Sequence, residues 1–67
     1  MNWEQFQGDW TQLAGKVKEQ WGKLTDDELV VAAGRREQLS GLLQQRYGYA
    51  KEQADEQLDE FARELKR

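Results

Sequence analysis

The chain has 67 residues, 37% of them hydrophobic and 34% charged, with a formal net charge of −3 and neither cysteine nor histidine. That length makes one small domain, 1–67, of a size that buries only about 60% of the surface its unfolded chain exposes. Without thiols or imidazoles there is no disulfide staple and none of the usual zinc, haem or iron–sulfur ligand sets, so packing must hold the fold.

Trp3, Phe6, Trp10, Leu13, Val17 and Trp21 recur at steps of three and four, which predicts one helix gathering them on a single face. Asn2 stands as its N-cap and Gly22 as its C′ glycine. Lys23 and Leu24 lead to Thr25-Asp26-Asp27-Glu28, where Thr25 and Glu28 have capping-box spacing and the aspartates complement the positive end of a helix dipole. The helix opened there, near 26–33, is short and carries Leu29, Val30 and Val31.

Gly34 interrupts it, and from Arg35 a third helix puts Leu39, Leu42, Leu43 and Tyr47 on one face before Gly48 ends it. Tyr49 and Ala50 turn the chain into a fourth helix. Its stripe is Ala54, Leu58, Phe61 and Leu65, with Glu52, Asp55, Glu56, Asp59 and Glu60 on the other faces. Ala50 stands where a capping Ser, Thr or Asp is expected, weakening that start by about 1 kcal/mol. The expected core is Trp10, Leu13, Val17, Leu29, Leu39, Leu43, Leu58 and Phe61.

A repeat runs beneath these elements. All six glycines fall at seven-residue spacing in two sets, Gly8, Gly15 and Gly22, then Gly34, Gly41 and Gly48. At an offset of 26 residues Gln12/Gln38, Leu13/Leu39, Val17/Leu43 and Trp21/Tyr47 also align. Each copy reads as a helix stopped by glycine and followed by a second helix, giving an all-α, pseudo-duplicated domain of four helices. Gly15 and Gly41 project roughly opposite the apolar stripes and each lowers helix stability by about 1 kcal/mol relative to alanine. The expected reason is close approach of another backbone of the same domain, or a bend. The alternative is a shallow docking surface for a partner chain.

Function classes narrow mainly by exclusion. Thr11, Thr25 and Ser40 have no evident activating base, so no catalytic residue is expected and the chain is read as no enzyme. The pair Asp55/Asp59 and the row Glu52/Glu56/Glu60 read as a solvated helix face, since no calcium-loop pattern accompanies them, and no metal or cofactor is expected. The longest apolar run, 29–33, is far short of a membrane span, and Met1-Asn2-Trp3-Glu4 lacks signal-peptide character, so a cytoplasmic location is expected. The acidic side of the last helix argues against a lipid surface.

Nucleic acid receives a closer weighing, because helix–glycine turn–helix units in duplicate are similar to modules that hold phosphate on backbone amides. The turns Gly22-Lys23-Leu24 and Gly48-Tyr49-Ala50 lack a second amide-exposing glycine, and Asp26, Asp27 and Glu28 occupy the turn where a phosphate would sit. What survives of that reading is weak contact through Lys16, Lys18, Lys23, Arg35 and Arg36. Charges of both signs are interleaved, and the aromatics keep helical spacing, so a folded chain is expected rather than a disordered one.

The segments Trp-Gly-Lys-Leu-Thr-Asp-Asp-Glu-Leu (21–29), Gly-Arg-Arg-Glu-Gln-Leu-Ser-Gly (34–41) and Gln-Gln-Arg-Tyr-Gly-Tyr (44–49) carry a family resemblance. On them the chain resembles the CsbD-like family of small bacterial stress-response proteins, over nearly its whole length. The resemblance implies an all-helical fold of two crossed helical hairpins, similar to SAM-type domains, and expression linked to general stress. It implies no known reaction, cofactor or catalytic residue. Leu42 stands where the family commonly has lysine and Ala50 where it commonly has serine, read as changes in what the surface presents and in capping. The expectation is a non-enzymatic monomer acting through its surface, on an unnamed protein partner or as a general protectant. The alternative is a weak nucleic-acid-associated module.

Overall fold

Five helices make up the regular structure of the computed structural model, which describes residues 3–65. They are α1 (Trp3–Gly8), α2 (Trp10–Gln20), α3 (Asp26–Ala32), α4 (Arg36–Tyr47) and α5 (Lys51–Leu65). The all-helical expectation holds for the described residues. The single first helix does not: it divides at Asp9, whose φ of −98° and ψ of 14° leave the helical region. The amides of Gln12 and Leu13 both donate to the Asp9 carbonyl, at 3.0 Å each, so α2 restarts there. A glycine followed by an aspartate is a weak helix interior and a good restart, which is why the break falls at this pair. The expected cap Asn2 lies outside the described residues.

Gly22 does not act as a C′ glycine, because the left-handed glycines are Gly34 and Gly48. Instead Trp21 ends α2 at φ −127° and ψ 82°, its amide donating to the Val17 carbonyl. Its indole is buried against Phe61 of α5, ring centroids 5.0 Å apart. The exit of α2 is therefore set by burial of an aromatic, not by backbone freedom. At the other copy Gly48 does what was expected, capping α4 at φ 72° with its amide on the Gln44 carbonyl. Lacking a capping side chain, Ala50 contributes its carbonyl, which accepts from the Ala54 amide at 2.9 Å.

The capping box of α3 is complete. Thr25 Oγ1 accepts from the Glu28 amide at 3.2 Å, and Glu28 Oε1 accepts from the Thr25 amide at 3.0 Å. At its far end Ala33 takes a left-handed φ of 52° and Gly34 follows at 79°.

α4 and α5 pack most extensively on one another, α3 lies on α4, and α2 lies on α3. Of the expected core, Val17, Leu29, Leu39, Leu43 and Leu58 are buried, whereas Trp10, Leu13 and Phe61 are only partly buried and pack against its outside. Trp10 stays at the edge because its indole N–H donates to the Leu29 carbonyl at 2.8 Å, tying α2 to α3. Phe6, Trp21, Leu24, Ala32, Ala54 and Ala62 complete the interior. On α5 the innermost row is Ala54, Leu58 and Ala62, with a small alanine on either side of Leu58, and Phe61 is turned toward Trp21.

The glycine at a close approach is Gly34. A Cβ built on it would meet Gln7 Cα, Trp10 Cε3 and the Phe6 carbonyl at 3.0–3.3 Å. At Gly15 and Gly41 a Cβ would meet nothing within 4 Å, so the expected close approach at those two positions is overturned. Both sit on helix surfaces that face open space.

Candidate functional site

Val30 and Val31 are the large hydrophobic residues left exposed among those described, at 75% and 76%. Helical geometry forces this. Leu29 and Ala32, three apart, point into the core, so the two residues between them lie about 100° and 200° further round the axis and must face outward. A serine or lysine at either place would satisfy the fold equally well; the sequence has valine, whose β-branch also lowers helix propensity.

The ridge these valines make stands between two clefts. On one side a cleft of about 370 Å³ is lined by Trp10, Ala14, Gly15, Lys18, Leu29 and Val30. Gly15 belongs to its wall, and the missing side chain leaves the α2 side open. On the other side a cleft of about 220 Å³ is lined by Asp27, Val31, Ala32, Gln38 and Leu42 with Glu28. Leu42, read from the sequence as a change in what the surface presents, is part of this apolar wall. Gly41 lines neither cleft. Of Gly15 and Gly41, then, the first borders the outward-facing apolar surface and the second does not.

The charged groups around this surface are largely engaged in holding helices together. Glu28 accepts from the Arg46 guanidinium, with Nε at 2.9 Å, as well as closing its capping box. The Arg46 hydrogen bonds, helped by the Thr25 amide, hold the Glu28 carboxyl below its ordinary value and raise that of Arg46. Lys18 Nζ meets Asp26 Oδ1 at 2.8 Å, tying α2 to the start of α3.

On the opposite side of α4, Arg36 grips Asp59 through two bonds, Nε to Oδ1 at 3.0 Å and Nη2 to Oδ2 at 2.9 Å. Asp55 takes Lys51 Nζ at 2.9 Å. The Lys51 hydrogen bond, then that of the buried Ser40 hydroxyl, and the nearby Arg36 charge hold the Asp55 carboxyl below its ordinary value. Asp55 and Asp59 are therefore not the solvated face that the sequence suggested; they clamp α5 to α4. Glu52, Glu56 and Glu60 do face solvent. Among the described residues no group of three or more acidic residues is placed to hold a metal ion.

Three of the five bases proposed for weak phosphate contact are engaged within the fold. Lys18 and Arg36 are bonded to carboxylates, and Lys23 lies over the Tyr47 ring, its Nζ 5.1 Å from the centroid. The Lys23 amide also donates to Tyr47 Oη at 3.2 Å, fastening the α2–α3 loop to the end of α4. Lys16 and Arg35 remain exposed, with no carboxylate partner among the described residues.

These features define a small all-helical protein whose ionic groups serve mainly as ties between helices and whose outward apolar residues gather on one short helix. No helix among the described residues is long and apolar enough to cross a membrane. The chain belongs to the CsbD-like family, whose model matches residues 4–56. It is 52% identical over 61 residues to the UPF0337 protein YjbJ of Escherichia coli O6:H1, covering 91% of this chain and 88% of that one. It is 57% identical over 58 residues to the UPF0337 protein ECA0631 of Pectobacterium atrosepticum, covering 87% and 84%. To the UPF0337 protein PA4738 of Pseudomonas aeruginosa it is 49% identical over 65 residues, 97% of this chain and the whole of that protein.

Proposed function

We propose that this CsbD-like protein is a non-enzymatic stress-response protein that acts through its surface, and that the working face is the α3 ridge with its two clefts. The observation that carries the reading is the exposure of Val30 and Val31, at 75% and 76%, beside walls formed by Ala14, Leu29, Ala32 and Leu42. Contiguous apolar surface on a chain of mean hydropathy −1.06 marks a contact region more often than a scattered exposed residue does. Family membership supports the stress setting. In this reading the protein works in the cytoplasm and is a monomer at micromolar concentration.

The test compares wild type with a Val30→Lys/Val31→Lys variant whose helicity is checked by circular dichroism. Both proteins are assayed for shielding client enzymes through heating or drying and for recovering partners from stressed cells. A folded variant that has lost both properties is the expected result. Equal performance by the two proteins would overturn α3 as the working face.

A further inference from the structure

The apolar stripe that predicts a single first helix runs unbroken through the place where the fold bends. Trp3, Phe6, Trp10, Leu13, Val17 and Trp21 keep steps of three and four across Asp9, yet α1 and α2 part there, and the backbone of α1 lies against Gly34. Local pattern and tertiary packing therefore ask for different conformations of the same segment.

In backbone terms the two conformations are close. Asp9, at φ −98° and ψ 14°, stands about 35° in φ and about 55° in ψ from helical values. The helical ladder continues on both sides of it: the Asp9 amide donates to the Gln5 carbonyl and the Leu13 amide to the Asp9 carbonyl, each at 3.0 Å and each with four-residue spacing. The Asp9 side chain makes no capping bond. Rotation at this one residue makes α1 and α2 a single helix over residues 3–20, about 27 Å long. The Phe6–Trp10 ring contact, at 5.9 Å, joins residues four apart and so belongs to both forms.

What holds the bent form is the docking of α1, and that docking is concentrated. Of its six residues Phe6 is the buried one, and the Gln7 and Phe6 backbone fits against a glycine that has no Cβ to obstruct it. The seat does not depend on α1 for its shape at Trp10, whose indole is tied to the Leu29 carbonyl of α3 at 2.8 Å. The one segment known to fit this seat is α1 itself, so the occupant that matches it when α1 swings away is the α1 of a second copy.

We infer that two copies of this chain form an exchanged dimer, in which Asp9 straightens and each α1 leaves its own Gly34 seat for the seat of the other copy. The contacts of the seat are reproduced between chains, as in other dimers that exchange an identical element. Monomer and dimer then differ in the hinge and in the cost of joining two chains. Because each chain's own α1 competes at an effective concentration of millimolar order, the expected dissociation constant is about 1 mM. The protein is then a monomer at micromolar concentration and a dimer where it accumulates.

The hinge supplies the test. Asp9 is exposed, and alanine favours the helix over aspartate by about threefold per hinge, or about tenfold for the two hinges of a dimer. Asp9→Ala should therefore bring the dissociation constant to about 0.1 mM, and Asp9→Gly should associate more weakly than either Asp9→Ala or the wild type. Circular dichroism verifies that the variants are folded, and sedimentation equilibrium from about 10 μM to 1 mM measures the association. In Asp9→Ala dimers assembled from equal parts of isotope-labelled and unlabelled chain, nuclear Overhauser contacts of Phe6 and Gln7 with Gly34 should run between chains, and amide shifts should change chiefly around Asp9. Folded Asp9→Ala that stays monomeric to 1 mM would overturn the inference. So would a dimer in which the Gln7–Gly34 contact remains within one chain, which is a side-by-side pairing, or equal association by the alanine and glycine variants.

Discussion

Gly34 lies so close to α1 that a Cβ on it would stand 3.0 Å from the Cα of Gln7 and 3.3 Å from the carbonyl oxygen of Phe6. Backbone cannot move aside as a flexible side chain can, and the φ of 79° is itself unfavourable for any residue with a Cβ. Gly34→Ala should therefore cost about 2–4 kcal/mol, overpacking adding to the left-handed penalty. For a domain of this size that is a large part of the total stability. Urea melts of the variant check it, and a loss under 1 kcal/mol would mean that α1 can shift away freely.

Gly15 and Gly41 should behave in the opposite way. Each lies within a helix, and a Cβ on either meets open space. Gly15→Ala and Gly41→Ala should each raise stability by about 0.4–1 kcal/mol, through helix propensity and a less flexible unfolded chain. Denaturant midpoints of the two variants are the measurement, and a fall at either would restore a packing role for it.

Ala33 is the one non-glycine residue with a positive φ among those described. Its left-handed cap of α3 stores strain that glycine would not have. Allowing for the greater entropy glycine gives the unfolded chain, Ala33→Gly should stabilise by about 0.5–1 kcal/mol. A melting temperature unchanged or lowered would show that the Ala33 methyl contributes more by packing than its backbone costs.

Acid should weaken the fold through two carboxylates. Arg46, then Thr25, hold Glu28 below its ordinary value of 4.5, and Lys51, then Ser40, hold Asp55 below 3.8. Because the folded values lie below the unfolded ones, the unfolded chain takes up these protons first as pH falls. Their contribution is complete above the unfolded values and is lost as pH drops from there through the folded ones. Thermal melts should be nearly flat from pH 7 to about pH 5 and then decline. A Glu28→Gln/Asp55→Asn variant should melt lower at pH 7 and show a shallower decline; an unchanged slope would remove these two groups as its source.

Much of the helical content was legible because its causes are local. The Thr25–Glu28 box needs atoms three residues apart, and both of its bonds form as the spacing predicted. Steps of three and four placed Val17, Leu39, Leu43 and Leu58 in the core, and Gly48 at a left-handed cap. The same periodicity misjudged α5, where Phe61 was expected inside. Ala62 takes the inner place, four residues after Leu58 on the same face, while Phe61 packs on Trp21. Leu24, buried within a loop, had no period to reveal it.

The candidate site was legible in one residue at most. Val30 and Val31 were visible as members of a short helix, but their exposure depends on Leu29 and Ala32 claiming the inward direction, which only the position of the core decides. The glycine repeat shows the same division between local and distant causes. Sequence alone determined that the six glycines recur at matching places in two copies of one pattern, since spacing is a property of the chain itself. Their separate roles were decided by what the fold brings to each: the Gln7 and Phe6 backbone to Gly34, open space to Gly41, and to Gly15 the cleft beside Val30. Aligned positions in a repeat share local conformational preferences. They do not share neighbours, and it is the neighbours that turn a missing side chain into a packing contact or an open surface.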